Sequence, residues 1–422
     1  MKQEHLVIIG NGMATGRLLS EITAQDDSRY CITVFDQELH GSYNRIMLSP
    51  VLADEMAPKD IIIHSADWFT QNDITLYNDD PIIKIDSEAQ SVTSLRGKTV
   101  YYDKLVIATG SEPAMPPAAR DCTLGGLLCF RNLRDVQKIK SYANNSEHAL
   151  VIGGGLLGLE AAYGLRQQGI DVTVLHRGEW LLNRQLDKAA GNLLQAELER
   201  RGISVMTGKE VTAIKGSTHI SSVVLSDGNE LNVQQVVVAI GIVPHTELAE
   251  GAGLACERGI HVNNQMQTSD PLIYAIGECC QFGDDTFGLV APIWDQVSVL
   301  SDVLCSQGEE RFAVNPTATK LKVSGINLYS AGEYLDASDT TAVTFRDQLQ
   351  GYYKKLLFRQ DHLVGAVLYG DVQDGNWYFD LIREHHNIRA IRPNIIFGRA
   401  FCEQQEDPFN EPMINSNLAA AS

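Results

Sequence analysis

No stretch of this 422-residue sequence approaches the ~20 consecutive apolar residues that a bilayer span needs. The first apolar run, Leu6 to Ile9, stops at a glycine. That reads as a strand ending and not as the core of a secretory leader, so a cytoplasmic protein is expected. Positive charge is scarce: 34 Lys and Arg stand against 53 Asp and Glu, a formal net charge of −19. Such a surface repels nucleic-acid phosphates and anionic lipid, which excludes non-specific binding to either. Spaced cysteine pairs are missing too. The eight cysteines (31, 122, 129, 256, 279, 280, 305 and 402) include no C-x2-C or C-x4-C pattern. Neither a disulfide framework nor a cysteine-bound metal is expected. Cys279 and Cys280 are adjacent and pair only at the cost of a strained backbone. His261, His362, His385 and His386 show no spacing that suggests catalysis or metal ligation, and no metal site is expected. What the chain does have is 44% hydrophobic residues, enough for real cores in two or three domains.

Two glycine-rich turns each follow an apolar strand. The first reads Leu6-Val7-Ile8-Ile9-Gly10-Asn11-Gly12-Met13-Ala14-Thr15-Gly16. Glycines after a strand let the backbone approach a dinucleotide pyrophosphate, and the next helix offers it free N–H groups and a positive dipole end. Gly10 and Gly12 fit those roles. Thr15 stands where GxGxxG has its third glycine, with Gly16 beside it. Asp36 ends the following strand, where an acid accepts hydrogen bonds from ribose hydroxyls; Glu38 competes for that role.

The second turn, Val151-Ile152-Gly153-Gly154-Gly155-Leu156-Leu157-Gly158-Leu159-Glu160, matches GxGxxG in full through Gly153, Gly155 and Gly158, with Leu157 inside it. At the ribose position stands His176, followed by Arg177. Without a carboxylate there a 2′-phosphate is not repelled. Arg177 either binds one bidentately or faces solvent, so both NADH and NADPH stay open. Glu160, early in the helix, either orients the nicotinamide or complements the helix dipole. Two dinucleotides in one chain point to hydride transfer from a nicotinamide to a flavin, stacked at roughly 3–3.5 Å. That step needs no acid–base pair, and no proton-transfer residue is assigned.

The expected fold class is α/β: two Rossmann-like domains and a small C-terminal α+β domain. Helices are expected near 13–23, over 133–143 and over 156–168. Strands are expected at 6–9, 32–35, 104–108, 149–152, 171–175 and 236–240. The first dinucleotide domain spans 1–115 and 245–316, interrupted by the second over 116–244. From 317 to 401 short alternating strands such as Leu321 to Val323, Leu328 to Ser330 and Leu363 to Tyr369 mark the C-terminal domain. Residues 402–422 form an acidic tail expected to fray.

These residues resemble the pyridine nucleotide–disulfide oxidoreductase superfamily over roughly residues 4 to 312. The resemblance rests on both glycine turns, Ala108-Thr109-Gly110, Val238-Ala239-Ile240-Gly241 with Pro244, and Tyr274-Ala275-Ile276-Gly277-Glu278. It implies FAD in the first domain and NADH or NADPH in the second. It places Gly277 and Glu278 at the FAD ribityl and pyrophosphate region, with Gly241 among the residues of the nicotinamide nucleotide. Residues 42–52 contain no cysteine, which disfavours thiol–disulfide chemistry. Many rubredoxin and ferredoxin reductases have a lysine after the Leu-Ser of that segment, where this chain has Pro50.

The run Tyr43-Asn44-Arg45-Ile46-Met47-Leu48-Ser49-Pro50-Val51-Leu52 is similar to the flavoprotein part of assimilatory NAD(P)H–nitrite reductase large subunits. So are Gly288 to Pro292, Thr319 to Gly325, Tyr352 to Leu356 and Val364 to Asp371. This resemblance implies that Arg45 and Ser49 line the FAD site and that Pro292 lies near the isoalloxazine. It extends to about residue 400, and no cluster-binding cysteine set accompanies it. The expectation is a freestanding module that passes electrons to a separate nitrate or nitrite reductase subunit. A rubredoxin or ferredoxin reductase is the second reading, for which Arg383, Arg389, Arg392 and Arg399 offer either a docking patch or ordinary solvated charge. A redox-sensing flavoprotein with little turnover is a third. The C-terminal domain docks a partner, forms a homodimer, or does both.

Overall fold

The computed structural model describes residues 3–25, 29–306, 308–323 and 325–403. From residue 404 on, the expected acidic tail lies outside the described residues. The described chain forms two compact units. One comprises Met1–Leu182 with Leu194–Asn315; the other comprises Asn183–Leu193 with the described residues from Pro316 onward.

The first unit holds two parallel five-stranded sheets. In one, Glu4–Ile9 lies between Tyr30–Phe35 and Lys104–Ile107, with Thr75–Tyr77 and Ile273–Ala275 at the edges. Leu6, Val7 and Ile8 are wholly buried. Continuous apolar runs of this kind suit parallel strands covered on both faces. In the other sheet, His148–Ile152 lies between Asp171–His176 and Gln235–Val238, with Ile203–Thr207 and Leu127–Cys129 outside them. The observed helices Met13–Ala24, Leu133–Ala143 and Leu156–Gln167 fall where the sequence placed them. Asn132 starts the second with a capping box closed by Asp135.

Both central strands end in the same close contact. A Cβ on Gly10 would stand 2.3 Å from the Ala108 carbonyl oxygen, and one on Gly153 2.1 Å from that of Ala239. Both glycines have positive φ, +97° and +127°. The third motif positions then diverge. A Cβ on Gly158 would meet the Gly153 oxygen at 1.9 Å. Thr15, by contrast, is buried and its Oγ1 donates to the Gly10 oxygen at 2.7 Å. The departure from GxGxxG thus replaces a bare backbone contact with a hydrogen bond, and Gly16 next to it makes room for Ser42.

The second unit is built on an antiparallel sheet in the order Ala318–Val323, Ile326–Gly332, His362–Tyr369, Tyr352–Arg359, Thr341–Asp347. Alternation along a strand sends neighbouring lysines to opposite faces. Lys354 Nζ lies 3.4 Å from the Tyr378 hydroxyl of helix Gly375–Arg383. Lys355 instead reaches Asp187, at 3.5 Å, and Asp336, at 3.1 Å. Tyr353, two residues back, donates to the same Asp187 at 2.6 Å, and Ser330 Oγ donates to the Gln185 carbonyl at 2.5 Å. Asp187 Oδ1 also accepts from the Ala190 N–H at 3.1 Å. Residues 183–193 are therefore tied to the C-terminal sheet by a buried charged cluster. Replacing Asp187 with Ala strands the Tyr353 hydroxyl and leaves Lys355 with Asp336 as its only carboxylate partner among the described residues. The expected loss is about 2–4 kcal/mol, read as a lower thermal midpoint; Tyr353→Phe should cost less than half as much.

Candidate functional site

Each glycine turn leads into a helix whose first N–H groups are left open. Gly12 and Gly155 are the N-cap residues, and neither makes a side-chain cap bond. Nothing lies within 4 Å of a Cβ built on either. Free N–H groups, the positive end of the helix dipole and clear space suit a pyrophosphate. Asn11, between the two first-turn glycines, is buried with both amide atoms unpartnered. A buried amide without partners has a bonding capacity that a bound ligand can meet. The residues present fit the dinucleotides on these grounds.

Asp36 directly follows the strand Tyr30–Phe35 beside the first turn and is almost fully buried. Burial pushes its carboxyl up to about 6, aided by the nearby Glu38 charge. Glu38, the competing acid, is already engaged: Arg45 bonds one oxygen at 2.5 Å and Tyr43 donates to the other at 2.7 Å.

Arg45 also donates to the Arg131 carbonyl oxygen at 3.0 Å. The Arg131 guanidinium pairs with Glu278 and donates to Ser111 Oγ at 2.8 Å, while Ser111 donates to Glu278 at 2.6 Å. Arg131 Nε is buried and unpartnered. Gly110 lies at the same place, a Cβ on it standing 3.8 Å from the Arg131 guanidinium. Thr109, between Ala108 and Gly110, bonds the His245 carbonyl at 3.4 Å. Gly277 donates its N–H to Gln296 at 2.8 Å, from the helix Val290–Cys305 whose first turn contains Pro292. The structure thus draws Arg45, Gly110 and Glu278 around Arg131, which the sequence reading did not single out. Its only local signal is its place between the strand Leu127–Cys129 and the capped helix at Asn132.

The helix after the second turn meets the 48–54 segment directly. Ser49, on the short helix Leu48–Leu52, donates to Glu160 on the helix Leu156–Gln167. One turn further along, a Cβ on Gly164 would meet Leu52 Cγ at 2.6 Å. One more turn on, Gln168 donates to the Leu52 carbonyl at 3.1 Å and to Asp54 at 2.6 Å. Positions 160, 164 and 168 share one helix face, so a single stripe docks the two segments. Leu157 lies partly buried in the first turn of that helix.

His176 Nδ1 accepts from the Gly154 N–H at 3.2 Å, and a Cβ on Gly154 would clash with its ring at 2.7 Å. Arg177 extends into solvent, 82% exposed, with Glu210 3.6 Å away. Gly241 has φ +126° with nothing near a built Cβ, and its carbonyl accepts from Ala114 N–H at 3.0 Å. In the C-terminal unit Arg383 pairs with Asp380 and Glu384, and Arg392 with Asp361 at 3.7 Å, so these two guanidiniums already have acid partners. The thiols of Cys279 and Cys280 are fully buried and pushed above their usual range by that burial. Among the described residues no group of three or more His, Cys, Asp or Glu is arranged to hold a metal ion. No helix among them is long and apolar enough to cross a membrane.

Two open helix N-termini on parallel sheets, joined through the Ser49–Glu160 hydrogen bond, define a two-dinucleotide protein. The pyridine nucleotide-disulphide oxidoreductase family matches residues 4–299, and the rubredoxin NAD+ reductase C-terminal domain matches residues 317–386. The chain belongs to the pyridine nucleotide-disulphide oxidoreductase family and is an FAD-dependent NAD(P)H oxidoreductase. It is 39% identical over 396 residues to the assimilatory nitrate reductase electron transfer subunit of Bacillus subtilis (strain 168), covering 94% of this chain and 51% of that one. It thus spans about half the length of that relative. It is 31% identical over 330 residues to the nitric oxide reductase FlRd-NAD(+) reductase of Vibrio vulnificus (strain YJ016), covering 78% and 85% of the two chains. Among solved structures it resembles NADH:rubredoxin oxidoreductase from Clostridium acetobutylicum, with a TM-score of 0.75, 26% identity, and coverage of 92% and 97%.

Because the Asp36 carboxyl titrates higher in the folded chain than the ordinary 3.8, the folded state binds its proton more tightly than the unfolded state does. That contribution to stability is complete below pH 4 and is lost as pH rises through about 6. Asp36→Asn should therefore stabilise the cofactor-stripped protein at pH 7.5 by roughly 1–3 kcal/mol and leave it unchanged at pH 4. Thermal melts at the two pH values check this, and FAD retention should fall in the same variant.

Proposed function

We propose that this chain accepts hydride from NADH or NADPH and hands the electrons singly to a separate redox protein of a nitrate or nitrite assimilation system. The observation that carries the reading is the Ser49–Glu160 hydrogen bond, which joins the helix of the second glycine turn to the segment expected to line the flavin. Bound FAD supplies the conversion between a two-electron donor and a one-electron acceptor. The chain's own residues bind and orient. The open N–H groups after Gly12, with Arg45 and Arg131, hold the FAD pyrophosphate. Asp36 accepts from the adenosine ribose, and Glu278 from the ribityl chain. Gly153, Gly155 and Gly158 shape the second pyrophosphate site, and His176 and Arg177 border its adenosine ribose. The 42–52 segment contains no cysteine, which removes the thiol route. The name of the Bacillus subtilis relative, an electron transfer subunit, supports the choice of partner. A second reading, reductase for a rubredoxin or ferredoxin, is favoured by the match over residues 317–386.

An anaerobic visible spectrum before and after one equivalent of NADH or NADPH tests the reading. The flavin band should bleach within the mixing time of a manual experiment. A yellow protein that stays oxidised sinks it. Reduced protein should then be reoxidised by the reductase subunit faster than by rubredoxin or ferredoxin; the reverse order favours the second reading.

If Arg177 receives a 2′-phosphate, Arg177→Gly should lower kcat/KM for NADPH about tenfold to a hundredfold, a charge-assisted bond being worth about 1.5–3 kcal/mol. NADH should be little affected. Equal changes for both nucleotides would move the ribose pocket elsewhere.

A further inference from the structure

Hydride arrival needs no acid or base, but electron export leaves a proton behind. Each NAD(P)H yields NAD(P)+, one H+ and two electrons, and the electrons go one at a time to two equivalents of a one-electron acceptor. A proton released inside a partly closed site needs a group to receive it.

Glu160 is placed for that task. It lies 111 residues from Ser49 in sequence, yet the Ser49 hydroxyl donates directly to its carboxylate. Among the described residues Ser49 is its hydrogen-bond partner, and no cation is paired with it. The short helix Leu48–Leu52 facing it is Leu-Ser-Pro-Val-Leu and brings no charge. Just before that helix, Arg45 is turned to Glu38 and to the Arg131 carbonyl. Along its own helix, Tyr163 is held to Glu55 at 3.2 Å, and Arg166 pairs with Asp171 at 3.2 Å. Past the end of the short helix, Asp54 pairs with Lys140. Of the strands beneath, Asp171–His176 ends in His176, which is bonded to the Gly154 N–H. His148–Ile152 begins at His148, 3.9 Å from Asp171. Ile203–Thr207 and Gln235–Val238 carry no ionisable side chain. A carboxylate beside a cation holds protons poorly, whereas one with only burial and a hydroxyl around it has a raised proton affinity. Burial does raise the Glu160 carboxyl above its usual range, and the Ser49 hydrogen bond partly offsets that rise.

We propose that Glu160 takes up the proton left by electron export, with Ser49 holding its carboxylate in place. This rests on the reductase reading above. The step balances: the carboxylate gains one H+ for each NAD(P)H whose two electrons leave to the acceptor, and gives it up to solvent before the next turnover.

The test uses the protein as purified with its flavin. The first readout is an infrared pH titration of the carboxyl C=O stretch, assigned by its loss in Glu160→Gln. The second is the pH profile of electron transfer to ferricyanide, a one-electron acceptor, from protein already reduced with NAD(P)H. The infrared midpoint should lie above the ordinary carboxylate range. The export rate should fall by roughly tenfold per pH unit below that same midpoint, as a single-proton acceptor requires. Glu160→Gln should flatten the profile, and Glu160→Asp should keep a titrating one. Ser49→Ala should move both midpoints to higher pH, because it removes a donor that favours the charged form. An ordinary infrared midpoint, or a Glu160→Gln profile that still titrates as wild type, overturns the proposal. Wild-type protein that NAD(P)H does not bleach overturns the reductase reading itself, and the infrared titration identifies that case separately.

Discussion

Two carbonyl oxygens, those of Ala108 and Ala239, lie where a Cβ on Gly10 and on Gly153 would have to be. These backbone approaches set the place of everything that handles a nucleotide. Each lets a central strand end flush against its neighbour, so that the next helix starts at a fixed point with its N–H groups uncovered. Larger residues at either position would push the turn away and rotate the helix start. The same economy of atoms recurs where Gly164 lies against Leu52 and lets the helices Leu48–Leu52 and Leu156–Gln167 come close enough for Ser49 to reach Glu160.

Charge is arranged with equal care in a chain whose net balance is strongly negative. A surface with that excess repels nucleotide phosphates at long range. Arg45 and Arg131 lie in a compact group, each paired with an acid, Glu38 and Glu278. The pairing keeps both guanidiniums fixed in direction before a ligand arrives, which lowers the ordering cost of binding. Arg177 is the opposite case: a long, solvated side chain with only the exposed Glu210 beside it.

The sequence made the strands, the glycine turns and the main helices legible, because continuous apolar runs and cap residues act locally. Asn132 and Asp135, three residues apart, mark the start of a helix without help from elsewhere. Thr15 looked like a flaw in the first motif; its meaning depends on a hydroxyl reaching the Gly10 carbonyl, which spacing alone does not reveal. Arg131 was invisible for a similar reason, its partner Glu278 being 147 residues away. That Arg45 and Tyr43 engage both Glu38 oxygens, and leave Asp36 clear of them, was likewise not legible from spacing. The grouping of residues 183–193 with the C-terminal sheet had no local signal at all, because Asp187 finds Tyr353 and Lys355 across more than 160 positions.

That last grouping bears on how such a chain can be recombined. A C-terminal unit exchanged at the linker near residue 316 would arrive without the eleven-residue stretch Asn183–Leu193 that completes it. Its lysine would then face a foreign surface in place of Asp187. Moving this unit is therefore a two-cut operation: either the short internal stretch travels with the sheet, or its acid has to be present in the recipient already. The C-terminal unit of this chain is thus completed by a piece of sequence that lies well over a hundred residues upstream of it.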